Sequence, residues 1–353
     1  MAFRFPSGSN TFSISWESTG MIVSATRDRD KFKLPRYIQY VPTKQRVFRY
    51  LKLDLDEPAR IVGSHEFLWA PGQGAPSGEE NLGAFQYVDA ATKKYAYAWT
   101  LPDEAVDQAE WDLEASQTGI IAQKAMTNRT MLTAELAQTS SNWPSTNTAS
   151  ANTLNEGAGK FDTASADPGS ANYLAIKKAL TKAAETIVLQ TNGTMRWNDV
   201  NFVGNPELAR KMGNTSEVYQ YTKGSPDAFS RQQGDDKYVS EYGLPAKYAS
   251  INIEIEDAVK VTTRPNITSG LGTGATKAWV WAAASPVMLS RKGGVQGKFG
   301  GGALSTVQLY YYREMETYTK DDRDNERKQA RIVDDFVVTL PFGQSGFLIQ
   351  SAL

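Results

Sequence analysis

Apolar and polar residues alternate along several stretches of the chain. Arg49, Leu51, Leu53 and Leu55 interleave with Tyr50, Lys52, Asp54 and Asp56, the period of two expected of a strand with one apolar face. A returning strand sets Tyr95, Tyr97, Trp99 and Leu101 on one face, with Ala96 and Ala98 on the other. Between them, residues 70–83 (APGQGAPSGEENLG) have the Gly-, Pro- and Ser-rich composition of a mobile hairpin tip. Strands of about 15 residues, rising about 3.3 Å each, project on the order of 50 Å. A two-stranded ribbon of that reach is barely stable alone in water, so it needs a partner surface. A neighbouring copy of the chain is the simplest one.

A period near 3.6 takes over after Pro102. Val106, Ala109, Leu113, Ile120, Ile121, Ala125, Leu132 and Leu136 recur at helical spacing, which predicts one helix over 103–138. At some 36 residues it would be about 54 Å long. Its first turns hold Asp103, Glu104, Asp107, Glu110, Asp112 and Glu114 with no base among them, which complements the positive end of the helix dipole. Residues 139–170 then form a long irregular connection, with Trp143, Leu154 and Phe161 as isolated anchors. A second helix is expected over 171–191, with Tyr173, Ile176, Leu180, Ala184 and Ile187 as its stripe and Gly193 as its stop. Asn205-Pro206 opens a short third helix that Gly213 ends.

Strands dominate the rest. Ile251, Ile253 and Ile255 alternate with polar neighbours, as do Val307, Leu309 and Tyr311; Ile332, Phe336, Val338 and Leu340 share a face. The first 36 residues are Ser- and Arg-rich without sustained periodicity and read as an extended arm. The class is α+β with mostly antiparallel strands.

Composition adds exclusions. The 353 residues include no cysteine and one histidine, so disulfides, thiolate metal sites and cysteine nucleophiles are absent. Neither a signal peptide nor an apolar run of membrane-spanning length is present, which points to a protein made and kept in a cytoplasm. The net charge of -1 is uneven. Residues 1–60 hold eleven Lys/Arg against six Asp/Glu, and residues 61–170 hold five against fourteen. Such asymmetry suits contacts between copies, with solvated surface as the plain alternative.

Catalytic constellations are not evident. His65 stands alone beside the hairpin tip. The string GLGTGA (270–275) follows no buried strand and opens no helix, and Gly297-Lys298 lacks the glycine and hydroxyl of a phosphate loop. The cluster KDDRDNER (320–327) reads as a solvated turn or an intersubunit salt-bridge cluster before it reads as a cation site. No metal and no cofactor is expected.

Three segments in this order resemble the major capsid proteins of tailed bacteriophages, whose fold is shared with encapsulins and herpesvirus capsid floors. TLPDEAVDQAEWDLEASQTGIIAQKAMTNRTMLTAELAQ (100–138) resembles the spine helix entered from the hairpin. ANYLAIKKALTKAAETIVLQTNGTMRWNDVNFVGNPELARKM (171–212) resembles the core of the axial domain, and RKQARIVDDFVVTLPFGQSGFLIQSAL (327–353) the closing strands of the peripheral domain. The resemblance implies an N-terminal arm (1–36), an extended loop and its base (37–101), a peripheral domain with the spine helix (102–170), an axial domain (171–305), and returning peripheral strands (306–353).

It also implies hexamers and pentamers in an icosahedral head around double-stranded DNA, held without sequence specificity. Such a head is a virion structure assembled in the host cytoplasm. A portal protein, and separate scaffolding or decoration proteins, would be partners; a membrane would not. Between Lys52 and Lys93 there is no lysine, so the hairpin-tip crosslink made by some relatives is not expected. Arg27, Arg29, Lys31 and Lys33, and the acids Glu79, Glu80, Asp103, Glu104, Asp107 and Glu110, are the intersubunit contact candidates. Two readings stay open beside this one: an encapsulin-type compartment shell, and a β-rich enzyme.

Overall fold

The structure is a computed structural model and describes residues 13–14, 33–53, 85–108, 112–223, 242–263, 276–291 and 305–353. A short strand β1 (Ser13–Ile14) comes first, then a one-turn helix α1 (Leu34–Tyr37) and strand β2 (Gln39–Pro42). Strands β3 (Val47–Leu53), β4 (Phe85–Ala91) and β5 (Lys93–Pro102) follow, then helices α2 (Asp103–Asp107) and α3 (Leu113–Gln138). The middle of the chain holds β6 (Thr148–Ser150), α4 (Ala151–Leu154), α5 (Ala175–Gln190), β7 (Val200–Gly204), α6 (Pro206–Gly213) and α7 (Ser216–Lys223). After it come β8 (Lys247–Tyr248), β9 (Ile251–Ile255), β10 (Val259–Thr263), β11 (Thr276–Trp279) and β12 (Val287–Ser290). A long pair, β13 (Gln308–Asp322) and β14 (Arg327–Thr339), precedes the last strand, β15 (Phe347–Gln350).

These strands make two sheets and two ribbons. The five-stranded sheet runs β1-β13-β14-β5, with β2 parallel to β13. The six-stranded sheet runs β6-β15-β12-β7-β9-β8. The ribbons are β3–β4 and β10–β11. Helix α3 lies on the five-stranded sheet through Ile121, Ala122, Ala125 and Met126, which meet Met315 and Ile332. Helix α5 packs on the six-stranded sheet through Ile176, Leu180 and Ile187, against Phe202, Met288 and Ile349. A third cluster joins the two sheets, with Val203, Val287 and Leu348 from one and Leu309 and Phe336 from the other. The C-terminal end of α3 is tied to the same seam. The Gln138 amide donates to Ala282 O (3.2 Å) and Ser285 O (2.8 Å), and its oxygen accepts from Ala282 N (3.1 Å).

Several expectations hold. The isoleucines of β9 alternate inward as read, the Asn205 side chain caps α6 by accepting from Leu208 N at 2.8 Å, and Trp143, Leu154 and Phe161 are buried anchors. Gly346, at the head of the terminal Gly-Phe-Leu-Ile, is required by close approach. A Cβ there would lie 2.6 Å from Thr306 Cγ2 and 2.7 Å from Met288 O.

Other expectations need correction. The strand that returns against 47–53 is Phe85–Ala91, with Arg49 opposite Asp89, and not 95–101. Residues 93–102 instead pair with β14 over ten positions, Tyr97 opposite Ile332. The inward face of β5, Tyr95, Tyr97 and Trp99, finds there an apolar strand and a helix to cover it, which a lone ribbon cannot offer.

The helix expected over 103–138 is two helices. Gln108 closes α2, and Asp112 restarts the chain as N-cap of α3, accepting from Ala115 N at 2.9 Å. At 26 residues α3 is about 39 Å long. Its buried face is Ala and Thr rich and carries Arg129, whereas Ile120 of the expected stripe is 44% exposed. Small residues let the helix axis approach the sheet closely, and an apolar count misses them.

Helix α5 starts at Ala175, after Leu174 in the left-handed region (φ 51°), so Tyr173 is outside it. Gly193 (φ 73°) ends it as expected, and Asn192 before it is left-handed too (φ 49°). The Asn192 N–H meets Leu189 O and that of Gly193 meets Val188 O, a Schellman closure. The strand 347–350 leaves β13 and β14 and joins the six-stranded sheet, so the expected closing strands divide between two sheets.

Candidate assembly interface

The ribbon β3–β4 stands on the five-stranded sheet by its base. Arg46 Nη2 reaches Asp335 Oδ2 at 3.0 Å, and Phe48 and Tyr50 lie on the Tyr310 ring with centroids 4.7 and 5.8 Å away. Val47 (66% exposed) and Tyr87 (70%) face solvent, and the Arg49–Asp89 pair across the ribbon (2.6 Å) is exposed. The ribbon β10–β11 likewise exposes Val259 and Val261. Beside it a groove of about 710 Å³ runs to α6, lined by Asn205, Glu207, Lys277, Trp279, Ala282 and Ala283 among others.

A buried ion pair joins α3 to β14. Arg129 of α3 donates to Asp334 of β14 through Nε (2.8 Å) and Nη2 (2.7 Å); the two side chains are 1% and 0% exposed. Glu314 of β13 approaches Arg129 Nη1 at 3.8 Å, and the rings of Tyr40 and Phe336 flank the guanidinium. Burial alone would lower the guanidinium's pKa, but Asp334 outweighs it and the net shift is upward. Burial also pushes the Tyr40 phenol up to about 12, against the pull of Arg129. One side chain thus ties α3, β14, β13 and β2 together. Register shifts in β13 between Tyr311 and Glu316 bend the sheet at this point, with Met315 buried at a positive φ of 46°.

A second buried carboxylate serves α5. Glu217 of α7 accepts from Ile176 N (3.0 Å), Lys177 N (2.8 Å) and Tyr248 Oη (2.6 Å). Burial, and then the bond to Glu217, hold the Tyr248 phenol well above its ordinary value. Sequence reading missed Arg129, Asp334 and Glu217. The traces were there: Asp334-Asp335 interrupts the apolar run of IVDDFVV, and Arg129 falls on the Ala/Thr face of its helix.

Of the contact candidates, Arg27, Arg29, Lys31, Glu79, Glu80 and Glu110 lie outside the described residues, as do His65, 270–275 and 292–302. Lys33 precedes α1, and its charge acts on Glu254 and Glu256 of its own chain. Asp103 and Glu104 start α2 and Asp107 ends it; Asp103 N bonds to Glu326 O at 2.9 Å. The structure therefore does not bring the described basic and acidic candidates together. The cluster 320–327 is the turn between β13 and β14. Hydrogen bonds from Asn325 and Arg327 hold the Asp322 carboxyl below its ordinary value there. Among the described residues no group of three His, Asp or Glu could hold a metal, and no helix is long and apolar enough to cross a membrane.

No protein-family model matches the sequence, and no curated protein matches it. Solved structures do. A phage-related protein from Bordetella bronchiseptica RB50 superimposes with a TM-score of 0.61 at 12% identity, covering 97% of this chain and 98% of that one. A chain from Mycobacterium phage Bobi gives 0.50 at 10% identity over 90% of each chain. A chain from the procapsid of satellite phage P4, a structure that includes the size determination (Sid) protein, gives 0.50 at 8% identity over 99% and 93%. At such identities the likeness lies in the order and pairing of the elements, and by that order the chain has the fold of the tailed-phage major capsid proteins.

Proposed function

We propose that the protein is a major capsid protein, structural rather than catalytic. Copies assemble as hexamers and pentamers into an icosahedral head that encloses double-stranded DNA, built in the host cytoplasm and carried in the virion. A portal protein completes the head, with scaffolding or decoration proteins as further partners. In this reading residues 1–36 are the arm, β3–β4 belongs to the extended loop, α3 is the spine of the peripheral domain, and α5 to β12 build the axial domain. The observation that supports it best is the capsid fold carrying a ribbon whose apolar side chains, Val47 and Tyr87, are exposed among the described residues. Negative-stain microscopy of purified protein is expected to show closed shells or capsomers. A stable monomer at high concentration, with neither under any scaffolding condition, would overturn the proposal.

The basic arm offers a second test. Lys33 already faces its own chain's Glu254 and Glu256, so it is left intact. Combined Arg27→Glu, Arg29→Glu and Lys31→Glu should leave the subunit's melting temperature nearly unchanged while weakening assembly. Exposed pairs contribute about 0–1 kcal/mol each and are screened within about 8–10 Å, so the defect should be largest at low salt. Normal assembly of the triple variant at every ionic strength would show that these charges are solvated surface.

A further inference from the structure

The root of the arm is held by a helix of a single turn, which cannot maintain itself without tertiary contacts. Leu34, Tyr37 and Ile38 insert into the cluster between the two sheets, and Tyr37 meets Trp281 edge-on at 6.0 Å. Arg36 pairs with Glu254 at 3.5 Å, and Arg291 donates to the Pro35 carbonyl. The deepest polar contact is Tyr37 Oη donating to Glu256 Oε2 at 3.0 Å, with Tyr37 fully buried and Glu256 3% exposed just past the end of β9. A carboxyl so placed is costly to ionise.

The charged and titratable groups around it come from every neighbouring element. On the arm side are Lys33, Arg36 and Tyr37; Glu254 is on β9 and Asp257 follows Glu256. Tyr40 of β2 acts on Tyr37, and Arg291, after β12, is turned to Pro35. Arg36 pairs with Glu254, not with Glu256. Burial pushes the Glu256 carboxyl up to about 7. The Tyr37 hydrogen bond opposes that, Asp257 reinforces it, and Lys33 and the Ala258 amide oppose it again.

We propose that the Glu256 carboxyl, buried beneath Tyr37, is a proton-controlled latch on residues 33–42: neutral, it stays buried and this segment remains seated against the end of β9; ionised, it favours release to water, a loss that the hydrogen bond from Tyr37 moderates. The sign follows from the direction of the shift. The seated state binds the proton more tightly than the released state, whose carboxyl has its ordinary value of 4.5. The contribution to seating is therefore complete below 4.5, falls as pH rises through about 7, and changes no further above that. The inference concerns the single subunit and stands apart from whether copies assemble.

Hydrogen exchange of the full chain tests it, read at the amides of Arg36, Ile38 and Gln39, which bond to Lys33 O, Leu34 O and Val307 O. Rates are corrected for intrinsic chemistry and compared at about pH 5.5 and 8.5, with the amides of α5 as an internal reference. Protection at these three amides should fall about thirtyfold across that range in the natural protein. Glu256→Gln, which cannot ionise, should flatten the profile. Tyr37→Phe should steepen it, because the ionised carboxylate then loses its donor. Equal profiles in the natural protein and Glu256→Gln would overturn the latch. So would an alkaline loss shared equally by α5, or a Tyr37→Phe profile identical to the natural one.

Discussion

Replacing Arg129 with leucine is expected to cost about 3–5 kcal/mol of subunit stability, the largest single loss where α3 packs on the five-stranded sheet. Asp334 keeps its burial but loses both hydrogen bonds from Arg129, and Glu314 and the Tyr40 ring lose the cation they face. The penalty is that of a carboxylate left in a dry site, and it exceeds what the pair contributed while intact. Urea denaturation should show the loss directly, and a thermal melt should move down by about 5 °C for a chain of this size. Arg129→Lys should fall between, since an ammonium retains the charge but not the two-point geometry. Adding Asp334→Leu to Arg129→Leu should recover much of the deficit, because an apolar pair of similar volume removes the stranded charge. A single leucine variant within about 1 kcal/mol of the natural protein would mean that water reaches this site.

How far the sequence disclosed these features depends on the range of the contact behind each one. Ile251, Ile253 and Ile255 announce a half-buried strand because alternation is local, and Asn205-Pro206 announces a helix start because a cap bonds three residues ahead. The partner of β5 was not legible. Tyr95, Tyr97 and Trp99 need an apolar counterpart, but nothing near them says that it lies more than 200 residues later in β14. The break at 108–112 was hidden for a different reason: acids at both ends suit one long helix or two short ones equally well, and only Asp112 accepting from Ala115 N separates them. The surface candidates were chosen by charge, whereas the polar groups that organise the molecule, Arg129, Asp334, Glu217 and Glu256, are all buried. Their pairing depends on which strands become neighbours, which charge counts along the chain do not contain.

The second large effect is expected at Glu217. Helix α5 begins after Leu174, a residue that has no side-chain oxygen to cap it and sits in the left-handed region. The first-turn amides of Ile176 and Lys177 are bonded instead by a carboxylate from α7, some 40 residues later in sequence. The negative charge also complements the positive end of the helix dipole. Glu217→Ala removes both acceptors and the partner of Tyr248 Oη at a buried site, and should cost about 3 kcal/mol. Glu217→Gln keeps one acceptor and should cost about half as much. Hydrogen exchange should lose protection first at the start of α5, where a plain packing defect would act on the whole helix. Arg129 and Glu217 share no partner, yet the cluster of Val203, Val287 and Leu348 with Leu309 and Phe336 joins their two sheets. A double variant should therefore unfold in one transition, with losses additive within about 0.5 kcal/mol. Two separated transitions would mean that this seam is too weak to couple the sheets, and that the subunit melts in halves.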